Sequence, residues 1–274
     1  MAFKYCLNAS TIRTTPILEQ ISVAGEAGYQ GIELWHDAID AHLQAGGSLA
    51  QIRQALDNQG LSVPTTIYLA GWFDASEQDL PSVFDECRRR MDQAAAVGAP
   101  HIIAGPSQSH ADYDVGAARY RELLEMGQTV GVFPAMEFLG FVDQLNTIED
   151  ALDVMNRCGH PKATTVLDPF HIFRGGGSVE SIAKLNDRQI AVSHFNDTPT
   201  HPPREQQHDV DRVMPGDGHL DLRRYLDLLT ATGYDRFLSL ELFREDLWKQ
   251  DPLEVARLGL AKLKAAVEGD QSPN

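Results

Sequence analysis

Glu137, Asp168, His194 and Glu241 are the residues of this chain whose types and placement could do chemistry. Each ends a short, β-rich apolar run: Glu137 in PAMEFLG, Asp168 in VLDPFH, His194 in AVSHFND and Glu241 in SLELF. Side chains at the ends of buried strands are held rigidly, so a carboxylate or imidazole there can grip a metal or a substrate. Taken singly, such a carboxylate is commonly ion-paired and such a His a satisfied core residue, because buried charge is costly unless paired or metal-bound. Four on one rim need another explanation, since three carboxylates without a cation would repel one another. Together with a neutral imidazole they form a hard, oxygen-rich set suited to Mn2+ or Mg2+, and the nitrogen admits Zn2+ or Co2+.

The elements that must position these residues are strands alternating with helices. Strands are expected at 3–8, 31–35, 63–70, 101–105, 134–139, 164–168, 191–196 and 237–243. Helical patterns lie between them at 17–27, 49–58, 83–97, 117–129, 148–156, 179–185, 222–232 and 252–266. Several helical patterns stop at a Gly, as in AGYQGIEL, QGLSVP, VGAPHII and TGYDRFLSL, the residue that commonly follows a helix C-terminus. Strict alternation implies a parallel sheet, and eight units in 274 residues imply one closed (β/α)8 TIM barrel. An open doubly wound sheet is the alternative, but no GxGxxG follows the first strand. One catalytic domain over 1–268 is expected, with a flexible tail over 269–274. The long charged loop 201–220 is a functional candidate.

Other residues on the rim are less decided. Glu33 closes the second strand in GIELWH, where a substrate contact, a proton relay and a salt bridge all remain open. Asp197 either orients His194 or caps a loop. Trp35 and His36 could stack on a sugar or could simply pack.

Composition excludes several partners. The net charge of −16, from 39 acidic and 23 basic residues, argues against nucleic acid and acidic membranes. The basic run Arg88-Arg89-Arg90 sits in a helical pattern and reads as a solvated face. Three widely spaced cysteines form no CxxC pair, so neither a disulfide framework nor a zinc ribbon is indicated. With no signal-peptide pattern and no long apolar run, a cytoplasmic protein is expected.

The motifs YCLNAST, GYQGIEL, AMEFLG with LNTIEDALDVMN, VLDPFHIF, DRVMPGDGHLDL and LSLELFRED give the chain a family resemblance. It resembles the xylose isomerase-like barrels, a superfamily of sugar isomerases and epimerases, and within them the inosose (2-keto-myo-inositol) isomerases of inositol catabolism. The likeness is densest after residue 130.

The resemblance implies that Glu137, Asp168, His194 and Glu241 bind one divalent cation, Mn2+ being favoured, and that Glu137 and Glu241 double as acid and base. It also implies that His171 and Arg212 touch substrate oxygens. A guanidinium fork beside the rim would orient a polyol or offset enolate charge. The implied reaction interconverts keto-inositols, or a related non-phosphorylated ketose, by proton transfer through an enediolate. Alternatives on the same metal are a ketose 3-epimerase and a keto-polyol dehydratase or lyase. A DNA-repair endonuclease would need more His ligands and a cationic groove, and a sugar-binding protein would have no use for a metal rim. The implied partner is a small keto-polyol or ketose, and a homodimer is compatible with the resemblance.

Overall fold

Runs such as GIEL and TTVL are buried on successive residues, polar ones included, because the strands they form are covered on both faces. The computed structural model describes residues 3–107 and 110–269. Its strands are β1 (Lys4–Asn8), β2 (Gly31–Trp35), β3 (Thr65–Leu69), β4 (His101–Ala104), β5 (Phe133–Met136), β6 (Thr164–Leu167), β7 (Ile190–His194) and β8 (Phe237–Leu240). They are parallel, pair in sequence order and close into a barrel through β1 and β8. Ile67, Ile103 and Ala135 are register neighbours and, with Val166 and Val192, form a small apolar cluster separate from the main core.

The helices among the described residues are α1 (Ile17–Ala27), α2 (His36–Gln44), α3 (Leu49–Gln59), α4 (Leu80–Val97), α5 (Tyr113–Val130), α6 (Ile148–Cys158), α7 (Pro169–Arg174), α8 (Leu222–Ala231) and α9 (Pro252–Glu268). Capping boxes at Ser48 and Thr147 start α3 and α6. Gly28 and Gly98 end α1 and α4 with φ of 94° and 84°, a conformation that a side chain would resist. No helix among the described residues is long and apolar enough to cross a membrane.

Three elements differ from the sequence expectation. The stretch after β2 folds into α2, which fully buries only His36 and Ile39, with Ala38 and Leu43 packed against the core beside them. The residues after Asp168 turn directly into α7, with Asp168 as N-cap and Pro169 in its first turn. The sixth expected helix is a 3-10 turn over Val179–Lys184. Of the expected tail over 269–274, residues 270–274 lie outside the described residues.

His36 ties α2 to its neighbours: Nδ1 meets Gln93 Oε1 at 2.7 Å, from α4, and Nε2 meets Thr66 Oγ1 at 3.1 Å, from β3. Burial pulls its pKa down to about 4, with Arg90 adding to the effect. The unfolded chain takes this proton near pH 6.5 and the folded one does not. Its contribution to stability is therefore complete above pH 6.5 and is lost as pH falls toward 4, by about 3 kcal/mol. Urea unfolding of wild type and His36→Gln at pH 7 and pH 4.5 checks this. The variant should lose less stability between the two, and equal losses would refute the assignment.

Candidate metal centre and substrate cavity

Glu137, Asp168 and Glu241 each lie one residue beyond β5, β6 and β8, and His194 is the last residue of β7. Barrel closure therefore brings them to one end, where the strands give way to βα loops. They converge on His194 Nδ1, which stands 3.0 Å from Glu241 Oε2, 3.6 Å from Glu137 Oε1 and 3.6 Å from Asp168 Oδ2. Glu137, His194 and Glu241 can place one donor atom each within 4.8 Å of one another. Asp168 stands at the edge of that trio.

Each carboxylate is held differently. Asp168 Oδ1 accepts from the Phe170 amide at 2.7 Å and, with Oδ2, from Asn196 Nδ2, while Oδ2 also accepts from Arg212 Nη1 at 2.9 Å. Both oxygens of Glu241 are taken, Oε1 by Asn8 Nδ2 at 2.9 Å and Oε2 by Arg212 Nη1. Glu137 accepts no side-chain hydrogen bond from the described residues and lines the cavity with its side chain 13% exposed. His194 Nε2 lies 3.3 Å from Glu33 Oε2, near but not aligned as a hydrogen bond.

The electrostatics follow from this crowding. Burial pushes the Glu137 pKa up to about 8, reinforced by Glu241 and Asp168 and opposed by His194. Burial also pushes the Asp168 carboxyl up, but Arg212 and His194 outweigh it and hold the group well below the usual range. For His194, burial favours the neutral ring and is outweighed by Glu241 and Glu33, which raise its pKa.

Three buried carboxylates, Glu33, Asp168 and Glu241, and the partly buried Glu137 thus crowd His194, with Arg212 the one permanently positive group among the described residues in contact with the cluster. The deficit calls for protons or a divalent cation. His194 Nδ1, fully buried, has no hydrogen-bond partner although three carboxylate oxygens surround it. An orphaned nitrogen amid hard oxygens fits a divalent metal ion, and the donor set matches what such ions take.

Above the cluster opens a cavity of about 470 Å³, lined by Glu137, Glu241, His171, Arg212 and Asp209 and walled by aromatic rings. Trp35 meets Tyr68 and Phe243 edge-on, at 6.1 Å and 5.7 Å. A groove of about 540 Å³ on the far side of Trp35 holds none of the clustered carboxylates. Arg212 is buried, packs over Phe170 at 4.8 Å, contacts His171 Nε2 at 3.0 Å and also donates to Asp209. His171 Nδ1 accepts from the Gly140 amide at 3.1 Å.

The expected site residues separate into two groups. Glu137, Asp168, His194 and Glu241 meet, and His171 and Arg212 line the cavity beside them. Glu33 does not line the cavity. Its side chain is fully buried behind His194, because in-register pairing with Asn8 points it into the barrel. Asp197 is a loop organiser, accepting from the amides of Thr198, Gly216, Gly218 and Leu220. It folds the 201–220 loop so that Arg212 reaches inward. The sequence reading passed over Asn8, Asn196 and Asp209. Asn196 stands two residues after His194 and Asp209 three before Arg212, spacings that could have flagged both.

Fold and rim together define a (β/α)8 barrel enzyme with a carboxylate and imidazole cluster at the strand ends. The chain belongs to the xylose isomerase-like TIM barrel family, which it matches over residues 21–266. It is 26% identical to the inosose isomerase of Bacillus velezensis over 96% of this chain and 97% of that protein. It is 24% identical to the 3-dehydroshikimate dehydratase of Pseudomonas putida over 89% of this chain but 39% of that protein. A crystal structure of the IOLI protein with a binding zinc atom superposes with a TM-score of 0.88 at 24% identity, covering 98% of this chain and 100% of that one. An L-ribulose 3-epimerase structure shares the fold at a TM-score of 0.78 and 18% identity, covering all of both chains.

Proposed function

We propose that the chain is a divalent-metal-dependent isomerase of a neutral keto-polyol, of the kind that converts 2-keto-myo-inositol to 1-keto-D-chiro-inositol. The observation that carries this reading is the contrast at the cluster between an unclamped Glu137 facing the cavity and a Glu241 with both oxygens engaged. Glu137, Asp168, His194 and Glu241 would hold the ion, Mn2+ or Zn2+ by the donor set, and it would supply Lewis acidity toward the carbonyl and hydroxyl oxygens of an α-hydroxyketone.

The protein's own groups account for the rest. Glu137 removes the proton from the hydroxyl-bearing carbon and returns it to the neighbouring one, while the hydroxyl proton of the first carbon passes to the former carbonyl oxygen of the second. Glu137 needs a free oxygen for this, and its carboxylate has one. Arg212 and His171 orient substrate oxygens, and the rings of Trp35, Tyr68 and Phe243 face the C–H side of a cyclic polyol and keep out water. A 3-epimerase needs a second mobile carboxylate on the opposite face, a role for which Glu241, gripped by Asn8 and Arg212, is poorly suited.

A dehydratase acting on a carboxylated keto-polyol is also less well supported. Arg212 is the one Lys or Arg among the described residues lining the cavity, and Asp168, Glu241 and Asp209 already engage it. The same shortage of cations disfavours a phosphorylated substrate.

The test is NMR of keto-inositols and free ketoses in D2O with the Mn2+-reconstituted protein. Deuterium should enter one carbon as a positional isomer accumulates. Full retention of substrate hydrogen would remove the proton-transfer mechanism, and a product epimeric at a single carbon would assign the chain to the epimerases.

A further inference from the structure

Behind the imidazole lies a buried polar group that the proposed chemistry leaves unused: Asn8, Glu33, Thr65 and Ser239, none of them exposed to solvent. They come from β1, β2, β3 and β8. Parallel register sets Asn8 beside Glu33 and His194 beside Ser239, so all point into the same part of the barrel. Glu33 Oε1 accepts from the Thr65 hydroxyl, and Oε2 accepts from the Ser239 hydroxyl and from Asn8 Nδ2 at 3.1 Å. A buried carboxylate is tolerated only with such partners.

Asn8 spends its whole amide. Nδ2 serves Glu33 and Glu241 together, and Oδ1 accepts from Trp35 Nε1 at 2.8 Å and from the Ser10 amide at 3.0 Å. One side chain therefore joins Glu33, whose Oε2 stands 3.3 Å from His194 Nε2, a carboxylate of the cluster and a wall of the cavity. Neither Asn8 nor Glu33 lines that cavity, so neither acts on substrate directly.

We propose that Glu33 and Asn8 are positioning residues for the metal centre: Glu33 keeps the His194 proton on Nε2 so that Nδ1 offers its lone pair to the cation, and Asn8 pins Glu241 with Oε2 turned toward the same point. The inference rests on the metal-centre reading above. An imidazole that binds a cation through one nitrogen carries its proton on the other, and an acceptor for that proton fixes tautomer and ring plane together. Removing such an acceptor typically costs 10- to 100-fold in metal affinity.

The experiment titrates Mn2+ and Zn2+ into the metal-stripped full chain against a chromophoric chelator, with no substrate present. Glu33→Gln should weaken both ions by about 10- to 100-fold and Asn8→Ala by about 10-fold. In the Zn2+-loaded wild type, the His194 Nε2–H should give a slowly exchanging, downfield proton resonance, assigned by its loss in His194→Ala. Glu33→Gln should abolish or shift it, which a merely structural role would not predict. If Glu33→Gln does not fold, Thr65→Val and Ser239→Ala each remove one donor from Glu33 and should show smaller losses of the same kind. A wild type that binds neither ion overturns the metal centre and this inference with it. Tight wild-type binding with unchanged affinity and an unchanged Nε2–H signal in Glu33→Gln overturns this inference alone.

Discussion

Glu137→Gln is expected to lower kcat by about 10²- to 10⁴-fold, the usual contribution of a positioned general base. The substitution keeps the shape of the side chain and an oxygen toward His194, but removes the group that can carry a proton. Glu137 is the carboxylate for which this separation is clean, because no side chain among the described residues depends on it for a hydrogen bond. Glu241→Gln differs: both variants replace a charged ligand of the proposed ion, but Glu241→Gln also replaces an acceptor of Asn8 and an ion-pair partner of Arg212, and should lower metal affinity the more of the two. Steady-state kinetics, Mn2+ affinity and deuterium uptake from solvent, measured on both variants, separate the two roles. Exchange in Glu137→Gln at the wild-type rate would transfer the proton-moving role to another residue.

The four strand-end residues were legible because each interrupts an apolar run at its C-terminal edge, and alternation of strand and helix implied that those edges share a rim. What the pattern could not convey was depth. Glu33 reads in the sequence as the end of its strand, but it is the middle residue of β2, two residues short of the strand's end, so its side chain lies beneath the rim and meets the back of His194. Asn8 was harder still. In CLNAST it looks like the cap of a turn, and it does accept from the Ser10 amide. Its link to Glu241, 233 residues away, exists only because the last strand closes on the first.

Local signals were misread where two roles share one residue. Asp168 is both the end of a strand and the N-cap of α7, and the sequence pattern set no helix directly after it. Its two oxygens divide the work, Oδ1 capping the helix and Oδ2 facing His194 and Arg212. The helix that follows thereby locks the rotamer of a candidate ligand. Asp197, open in the sequence between orienting His194 and capping a loop, takes the second role: four backbone amides claim it. Backbone donors in a long loop leave no trace in residue types.

Arg212→Ala should be the most destabilising single change at the site when no metal is supplied. The guanidinium is 1% exposed and is shared by Asp168, Glu241 and Asp209. Removing one member of a buried ion network leaves uncompensated charge and costs about 3–5 kcal/mol, which for a chain of this size lowers Tm by on the order of 10 °C. The cavity wall should add to the loss, since the guanidinium also packs over Phe170 and Phe243. Lysine would restore the charge but not the fork, so Arg212→Lys should fall between the two.

A divalent cation supplies part of what the alanine variant lacks. Metal at 100 times its dissociation constant stabilises any folded protein that binds it by about 2.7 kcal/mol, and the carboxylates freed from Arg212 should bind it more tightly than in wild type. The rise in Tm on adding Mn2+ is therefore expected to be larger for Arg212→Ala than for wild type. Activity should not return with stability, because the group that orients substrate oxygens is gone. Thermal melts of both proteins with EDTA and with excess Mn2+ provide the comparison. If the metal-free variant melts within about 2 °C of wild type, Arg212 is not the counter-charge on which these carboxylates depend.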